Sequence, residues 1–125
     1  MEFTSQKTIY MQIADYICEK ALTGQWKESE RIPSVRELGI TLEVNPNTAM
    51  RAYEHLEANG IIYSKRGTGY FLAEEAVAKI KTLQKEKFIA ENLPGLFKNI
   101  YLLQISFDEL EQQYIEYCKT NYSNS

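Results

Sequence analysis

The chain has 125 residues, of which 44% are hydrophobic and 25% are charged. This length fits one small globular domain with or without an appendage, and it is too short for a nucleotide-binding sheet joined to a separate substrate domain. The 14 basic and 17 acidic residues give a net charge of −3, which argues against indiscriminate nucleic-acid binding but allows a local basic surface.

Export and membrane insertion are not indicated. No stretch approaches the roughly 18 uncharged apolar residues that a bilayer span needs. The N-terminal region lacks the basic start, apolar stretch and small-residue cleavage site of a secretory signal. We therefore expect a cytoplasmic protein with no membrane partner. Cys18 and Cys118 lie far apart in no metal-like or redox spacing, so we expect reduced thiols, with a disulfide as the alternative.

The first third of the chain is predicted to be a helix followed by a loop. Apolar residues at helical spacing predict a helix over residues 8–23, and Gly24 can end it. The polar residues 25–33 are then predicted to form a loop. Trp26 is expected to anchor that loop against the first helix rather than to bind a partner.

Two short helices separated by a tight break come next. Ser34 and Glu37 form a capping-box pattern that starts a helix ending near Leu42. The chain then breaks, and Asn45 is a good cap for a further helix over residues 45–59. The exposed backbone amides at the start of this helix would favour phosphate.

A β-hairpin with a basic tip is predicted after this helix. Residues 61–64 and 69–72 are short and rich in strand-forming side chains. The turn between them contains Lys65, Arg66 and Gly67, and glycine tolerates the positive φ that such turns require.

From Glu74 onward the pattern is helical again, and we place a boundary near Ala73 between residues 1–73 and residues 74–125. Pro94 must kink or interrupt the helices there, and Ser106 opens a last helix through a second capping-box pattern. The remaining 52 residues are too few to pack on the first domain and also enclose a ligand cavity. We expect a helical dimerisation arm formed by Val77, Ile80, Leu96, Phe97, Ile100, Leu103, Phe107, Leu110 and Tyr114.

The order of elements over residues 34–72 is that of a winged helix-turn-helix, in which the second helix enters the major groove of DNA and the hairpin reaches the flanking backbone. Advancing about 100° per residue places Ala49, Ala52, Tyr53 and Leu56 on one apolar face. Asn47, Thr48 and Arg51 lie on or beside the opposite face, near the helix start, where they could read base edges.

At these residues the chain resembles a known family. The segments Ile32-Pro33-Ser34-Val35-Arg36-Glu37-Leu38 and Arg66-Gly67-Thr68-Gly69-Tyr70-Phe71-Leu72, together with Ile9-Tyr10-x-Gln12-Ile13-Ala14, are similar to the GntR-type bacterial transcription regulators. The resemblance covers about residues 8–73. Pro46 and Met50 replace two arginines that the family often carries. The Asn-Pro-Asn-Thr entry is similar to the YtrA-like branch, which implies a short dimerisation arm and control of transporter operons.

We therefore expect a mostly helical protein with a small hairpin, a winged helix-turn-helix followed by a short helical dimerisation arm. It would bind a near-palindromic operator in double-stranded DNA as a homodimer, more as a repressor than as an activator. The candidate DNA-binding residues are Ser34, Arg36, Asn45, Asn47, Thr48, Arg51, Lys65, Arg66, Gly67, Thr68 and Gly69.

Other interpretations remain open at this point. The alternative for Ser34 is a purely structural cap, the alternative for Arg51 is an ion pair with Glu43 or Glu54, and the alternative for the hairpin cations is that they are ordinary solvated charges. The acidic balance also allows a winged-helix protein-interaction module without DNA binding. An enzyme is disfavoured because the chain shows no credible nucleophile, base or metal set, so we expect no catalytic residues, metal or cofactor. The residues do not indicate which small-molecule effector, if any, the protein binds.

Overall fold

The computed structural model describes residues 7–122, and within that range it contains six helices and one two-stranded antiparallel hairpin. In chain order the elements are α1 (Ile9–Leu22), α2 (Val35–Leu42), α3 (Pro46–Ala58), β1 (Ile62–Lys65), β2 (Gly69–Leu72), α4 (Ala76–Glu91), α5 (Leu93–Leu102) and α6 (Phe107–Tyr122). The predicted fold class and order of elements are confirmed. The chain divides into two compact units, one ending at Gln84 and the other beginning at Lys85. No helix in the described range is long and apolar enough to span a bilayer.

The core of the first unit is built around the apolar face of α3. The four residues predicted for that face, Ala49, Ala52, Tyr53 and Leu56, are all buried. Three of them, Ala52, Tyr53 and Leu56, belong to one continuous cluster with residues of α1, α2 and the hairpin. The cluster includes Ile13, Ile17, Leu38, Ile62 and Leu72. Because the apolar side of α3 is fixed in this core, its opposite side must face outward.

The turn between α2 and α3 is tight because the backbone closes on Gly39. Glu43 ends α2 in the left-handed conformation, with φ +56°. The N–H of Val44 then donates a 2.9 Å hydrogen bond to the carbonyl of Gly39. A Cβ atom on Gly39 would lie only 3.3 Å from the carbonyl oxygen of Val44. This is closer than an ordinary Cβ contact, so a larger residue at position 39 would press the turn backbone outward.

Trp26 anchors the loop after α1, as the sequence predicted. Its ring meets the ring of Tyr16 edge to face, with centroids 6.3 Å apart. The backbone N–H of Trp26 donates a 3.1 Å hydrogen bond to the carbonyl of Lys20. These contacts fix the path of the chain as it leaves α1.

The first unit includes the beginning of α4, which the sequence assigned to the second region. Ala76 and Ile80 are completely buried in the same core as α1 and α3. The N–H of Val77 donates a 2.9 Å hydrogen bond to the carboxylate of Glu28 in the loop after α1. The apolar area of Ile80, one of the predicted dimerisation residues, is therefore already covered within a single chain, whereas Val77 is half-buried.

The second unit leaves most of its large apolar side chains exposed. Pro94 interrupts the helical run, because α4 ends at Glu91 and α5 begins at Leu93. Ser106 accepts a 3.1 Å hydrogen bond from the N–H of Glu109 at the start of α6. Of the described residues from 85 onward only Ile100 is buried. The exposed apolar side chains include Leu96, Phe97, Tyr101, Leu102, Leu103, Phe107 and Tyr114.

Candidate nucleic-acid interface

The start of α2 is closed by a complete capping box. The hydroxyl oxygen of Ser34 accepts a 3.0 Å hydrogen bond from the N–H of Glu37, and the Glu37 carboxylate accepts a 2.9 Å hydrogen bond from the N–H of Ser34. Hydrogen bonding to the Glu37 carboxylate, first from the backbone N–H of Ser34 and then from its side chain, lowers the pKa of Glu37 below its usual range. Arg36 is exposed in the same helical turn. Ser34 is thus first a structural cap, while the Arg36 guanidinium extends into solvent.

The start of α3 offers side chains rather than backbone donors. The side-chain oxygen of Asn45 accepts a 2.8 Å hydrogen bond from the N–H of Asn47. The carbonyl of Asn45 accepts from the N–H groups of Thr48 at 3.0 Å and Ala49 at 3.1 Å, and Pro46 has no N–H. The expectation that these amides favour phosphate is therefore wrong, because each of them is already bonded within the helix start. The side chains that remain at this turn are the half-buried Thr48 and the exposed carboxamide of Asn47.

Arg51 is exposed one turn further along α3. Its guanidinium lies over the ring of Tyr10 in α1, with the central carbon 4.3 Å from the ring centroid. The one salt bridge found among residues 7–122 joins Lys7 to Asp15. Arg51 therefore contacts an aromatic ring, and neither Glu43 nor Glu54 forms a salt bridge with it.

The hairpin presents its basic tip to solvent. Lys65 is paired with Gly69 in the register, and the N–H of Thr68 donates a 3.0 Å hydrogen bond to the carbonyl of Lys65. Gly67 and Gly69 have φ values of +78° and +124°, which only glycine adopts readily. Lys65, Arg66, Gly67 and Thr68 are all exposed. The two cations thus lie at the end of β1 and in the turn that follows it. The β1–β2 hairpin is the wing of the helix-turn-helix.

Arg31, in the loop before α2, contacts the wing, and the sequence did not reveal this contact. The loop around it runs antiparallel to β2, with Arg31 bridged to Phe71. A Cβ on Gly69 would lie 3.1 Å from Nε of Arg31, so the guanidinium lies directly on the wing backbone. The positive charge of Arg31 also helps to lower the pKa of Glu37. Arg31 therefore connects the start of α2 to the base of the wing, a tertiary contact that the polar composition of residues 25–33 did not indicate.

The wing is fixed to α3 by aromatic contacts. Tyr70 in β2 meets Tyr53 of α3 edge to face, with centroids 4.9 Å apart, and its hydroxyl lies 4.0 Å from Sδ of Met50. The hydroxyl of Ser64 donates a 3.0 Å hydrogen bond to the carboxylate of Glu57. The start of α2, the outer side of α3 and the wing are thus held together in one compact unit.

Comparison with known proteins decides the family. Residues 9–72, just over half of the chain, match the bacterial regulatory proteins of the gntR family. The chain belongs to the GntR family. It is 38% identical over 109 residues to the HTH-type transcriptional regulator YhcF of Bacillus subtilis, an alignment that covers 87% of this chain and 88% of YhcF. It is 34% identical over 108 residues to the HTH-type transcriptional repressor YtrA of the same organism, covering 86% of this chain and 82% of YtrA.

Solved structures agree with this assignment. A GntR-family regulator from Bacteroides thetaiotaomicron superposes with a TM-score of 0.75 at 45% identity, covering 90% of this chain and 98% of that one. This GntR protein is accordingly a DNA-binding transcription regulator and not an enzyme, and its relatives are of the YtrA and YhcF type. The candidate DNA-binding residues lie in the part of the chain that matches the family.

Proposed function

We propose that this GntR protein represses transcription by binding a near-palindromic operator as a homodimer. The outer side of α3 would enter the major groove, where Asn47, Thr48 and Arg51 contact base edges. A regulator of this kind acts where the chromosome is, in the cytoplasm. Support for repression comes from YtrA of Bacillus subtilis, which is named a repressor and aligns over most of both chains.

The cations outside α3 are proposed to contact the phosphate backbone. Arg36 at the start of α2 and Lys65 and Arg66 on the wing are exposed, and none of the three forms a salt bridge among residues 7–122. We add Arg31 to this group because it lies on the wing backbone beside Gly69. Phosphate contacts of this kind set the register of a protein on the duplex and contribute most of its salt-dependent affinity.

The dimer is proposed to form through the second unit. Leu103, Phe107 and Tyr114 are 69%, 70% and 67% exposed in the single chain, although each is a large apolar or aromatic side chain. Contiguous exposed apolar patches are rare on monomeric proteins and mark interaction surfaces. A second copy would cover these residues, together with the groove at the α5–α6 turn that Phe97, Ile100 and Phe107 line. Two winged units would then contact half-sites about one helical turn apart.

The observation that carries the proposal is the outward-facing start of α3, with exposed polar side chains opposite a fully buried apolar face. The test is selection of bound duplexes from a random pool by the full-length protein, followed by fluorescence anisotropy on the selected duplex and on a shuffled duplex of equal composition. We expect the selected duplex to bind about 1,000-fold tighter or more. Equal binding of both duplexes, or none at low salt, would contradict the proposal and favour a winged-helix protein-interaction module.

Repression has its own test. A reporter gene placed behind the selected duplex should be expressed less when the wild-type protein is present. A promoter carrying the shuffled duplex serves as the control. An increase in expression would identify an activator instead, without affecting the assignment of the DNA-binding surface.

A further inference from the structure

Tyr10 in α1 contacts the candidate base-reading arginine of α3. The Arg51 guanidinium lies 4.3 Å from the centroid of the Tyr10 ring. The Tyr10 ring is half-buried and packs against the core of the first unit, whereas Arg51 is exposed. A rigid aromatic surface therefore supports a long side chain that would otherwise sample many rotamers.

The orientation of the Tyr10 ring is itself fixed from α3. His55, one helical turn after Arg51, meets the ring at an angle of 71°, with centroids 6.2 Å apart. His55 is itself half-buried. Two residues of α3, Arg51 and His55, thus contact the same ring of α1.

This contact leaves the hydrogen-bonding edge of Arg51 available. The contact is made to the face of the Tyr10 ring, which is not a conventional hydrogen-bond acceptor, so it does not use up the five N–H donors of the guanidinium. No carboxylate among residues 7–122 forms a salt bridge with Arg51, although Glu54 is close in sequence. A guanidinium presented in this way fits the paired O6 and N7 acceptors of guanine in the major groove.

We infer that Tyr10 is a positioning residue that holds Arg51 in the orientation needed to read a guanine of the operator. The inference rests on the proposed DNA-binding function and adds a specificity determinant outside the helix-turn-helix itself. Tyr10 acts through Arg51, so its removal should reduce discrimination between sequences more than it reduces general affinity for DNA. The effect should disappear when Arg51 is absent.

The test is a double-mutant cycle with Tyr10→Leu and Arg51→Ala, measured by anisotropy on the duplex that the wild-type protein selects and on its shuffled counterpart. We expect Tyr10→Leu to weaken binding to the selected duplex by about 3- to 10-fold, the range of a single cation–π contact. Binding to the shuffled duplex should change less than about 2-fold, and the Arg51→Ala protein should show no further loss when Tyr10 is also replaced.

Two matched variants separate positioning from folding. Tyr10→Phe keeps the aromatic face and should retain wild-type selectivity. Incorporation of a phenylalanine with several ring fluorines at position 10 keeps a ring of similar size but removes most of the negative charge on its face, so it should reproduce the loss of selectivity even if Tyr10→Leu fails to fold. Circular dichroism and thermal unfolding of each variant report on the fold directly.

Two outcomes would overturn the inference. One is an equal loss on the selected and shuffled duplexes, or an undiminished loss in the Arg51→Ala protein, because Tyr10 would then act on the fold. The other is wild-type selectivity in the protein with the fluorinated ring. Both differ from failure of the proposed function, in which the wild-type protein itself would select no duplex.

Discussion

The phenol of Tyr53 donates a 2.6 Å hydrogen bond to the carbonyl oxygen of Pro33 and so joins α3 to the loop that leads into α2. Tyr53 is completely buried, and burial, followed by the nearby charge of Glu37, raises the pKa of its hydroxyl. The hydroxyl therefore keeps its proton, and remains a hydrogen-bond donor, at neutral pH. Through this bond the position of the α2 start depends on α3.

Replacing Tyr53 by phenylalanine should remove this bond while keeping the buried ring. We expect the free energy of unfolding to fall by about 1 kcal/mol, because the Pro33 carbonyl loses its donor. Urea denaturation followed by circular dichroism measures the change. Tyr101→Phe, at a highly exposed position, is the control and should change stability by less than about 0.5 kcal/mol. Equal stability of Tyr53→Phe and wild type would show that this bond does not stabilise the α2–α3 arrangement.

The sequence predicted those parts of the fold that depend on local pattern. The helical spacing of apolar residues gave the buried face of α3, and the Ser34–Glu37 pair gave the capping box at the start of α2. Two strand-forming segments with a glycine-containing turn between them predicted the hairpin, and Gly67 adopts the positive φ that such a turn requires. In each case the deciding interaction lies within a few residues along the chain.

The parts that were missed depend on contacts between distant segments. The backbone of Arg31 forms a β-bridge with that of Phe71, and the ring of Tyr10 contacts Arg51. Neither contact is indicated by the residues next to it in the sequence. The backbone amides at the start of α3 were expected to face phosphate, yet the Asn45 side chain and carbonyl occupy them. Capping residues satisfy such groups internally, so these amides are not free donors for a phosphate.

Gly69 should tolerate substitution less well than Gly67. A Cβ at Gly69 would meet Nε of Arg31 at 3.1 Å and also has to adopt φ +124°, whereas nothing lies within 4 Å of a Cβ at Gly67. We expect Gly69→Ala to cost roughly 2–3 kcal/mol of unfolding free energy and Gly67→Ala about 1 kcal/mol, from the left-handed conformation alone. Thermal denaturation compares the two variants.

A double variant tests whether the contact with Arg31 causes part of the loss of stability in Gly69→Ala. Adding Arg31→Ala to Gly69→Ala should recover part of the lost stability, because it removes the atom that the new Cβ meets. It should recover none in the Gly67→Ala protein. The absence of any difference between the two glycine positions would contradict the placement of Arg31 on the wing.

The Glu37 carboxylate should make the stability of the protein depend on pH in the acidic range. Its folded pKa is lowered below the ordinary value of 4.5, chiefly by the hydrogen bond from the Ser34 backbone. A lowered folded pKa means that the contribution is present above pH 4.5 and is lost as the pH falls through the folded pKa. Glu37→Gln keeps an acceptor for the Ser34 N–H but removes the charge, so its stability should fall less steeply below pH 4.5. Identical slopes for both proteins would exclude Glu37 as a source of the acid sensitivity.

A charge on α6 should break the proposed dimer without unfolding the winged unit. None of the described residues of α6 is buried in the single chain, and Leu110 lies on the same side as Phe107 and Tyr114. Covering each such side chain would contribute about 2 kcal/mol to association, so Leu110→Asp should yield a monomer in light scattering at concentrations where the wild type is dimeric. Gln112→Asp adds the same charge at an exposed polar position and should leave the dimer intact. A dimeric Leu110→Asp protein would place the interface elsewhere.

The proposed phosphate contacts should be visible in the salt dependence of DNA binding. Each lost phosphate contact lowers the slope of log affinity against log salt by about 1 per bound subunit, because fewer counterions are released. Arg36→Ala and Lys65→Ala should therefore weaken binding to selected and shuffled duplexes alike and reduce this slope. Lys81→Ala, which removes an exposed cation from α4, is the matched control and should leave the slope unchanged. If Arg36→Ala instead weakens only the selected duplex at an unchanged slope, Arg36 contacts a base rather than the backbone, and α2 would lie deeper in the groove than proposed.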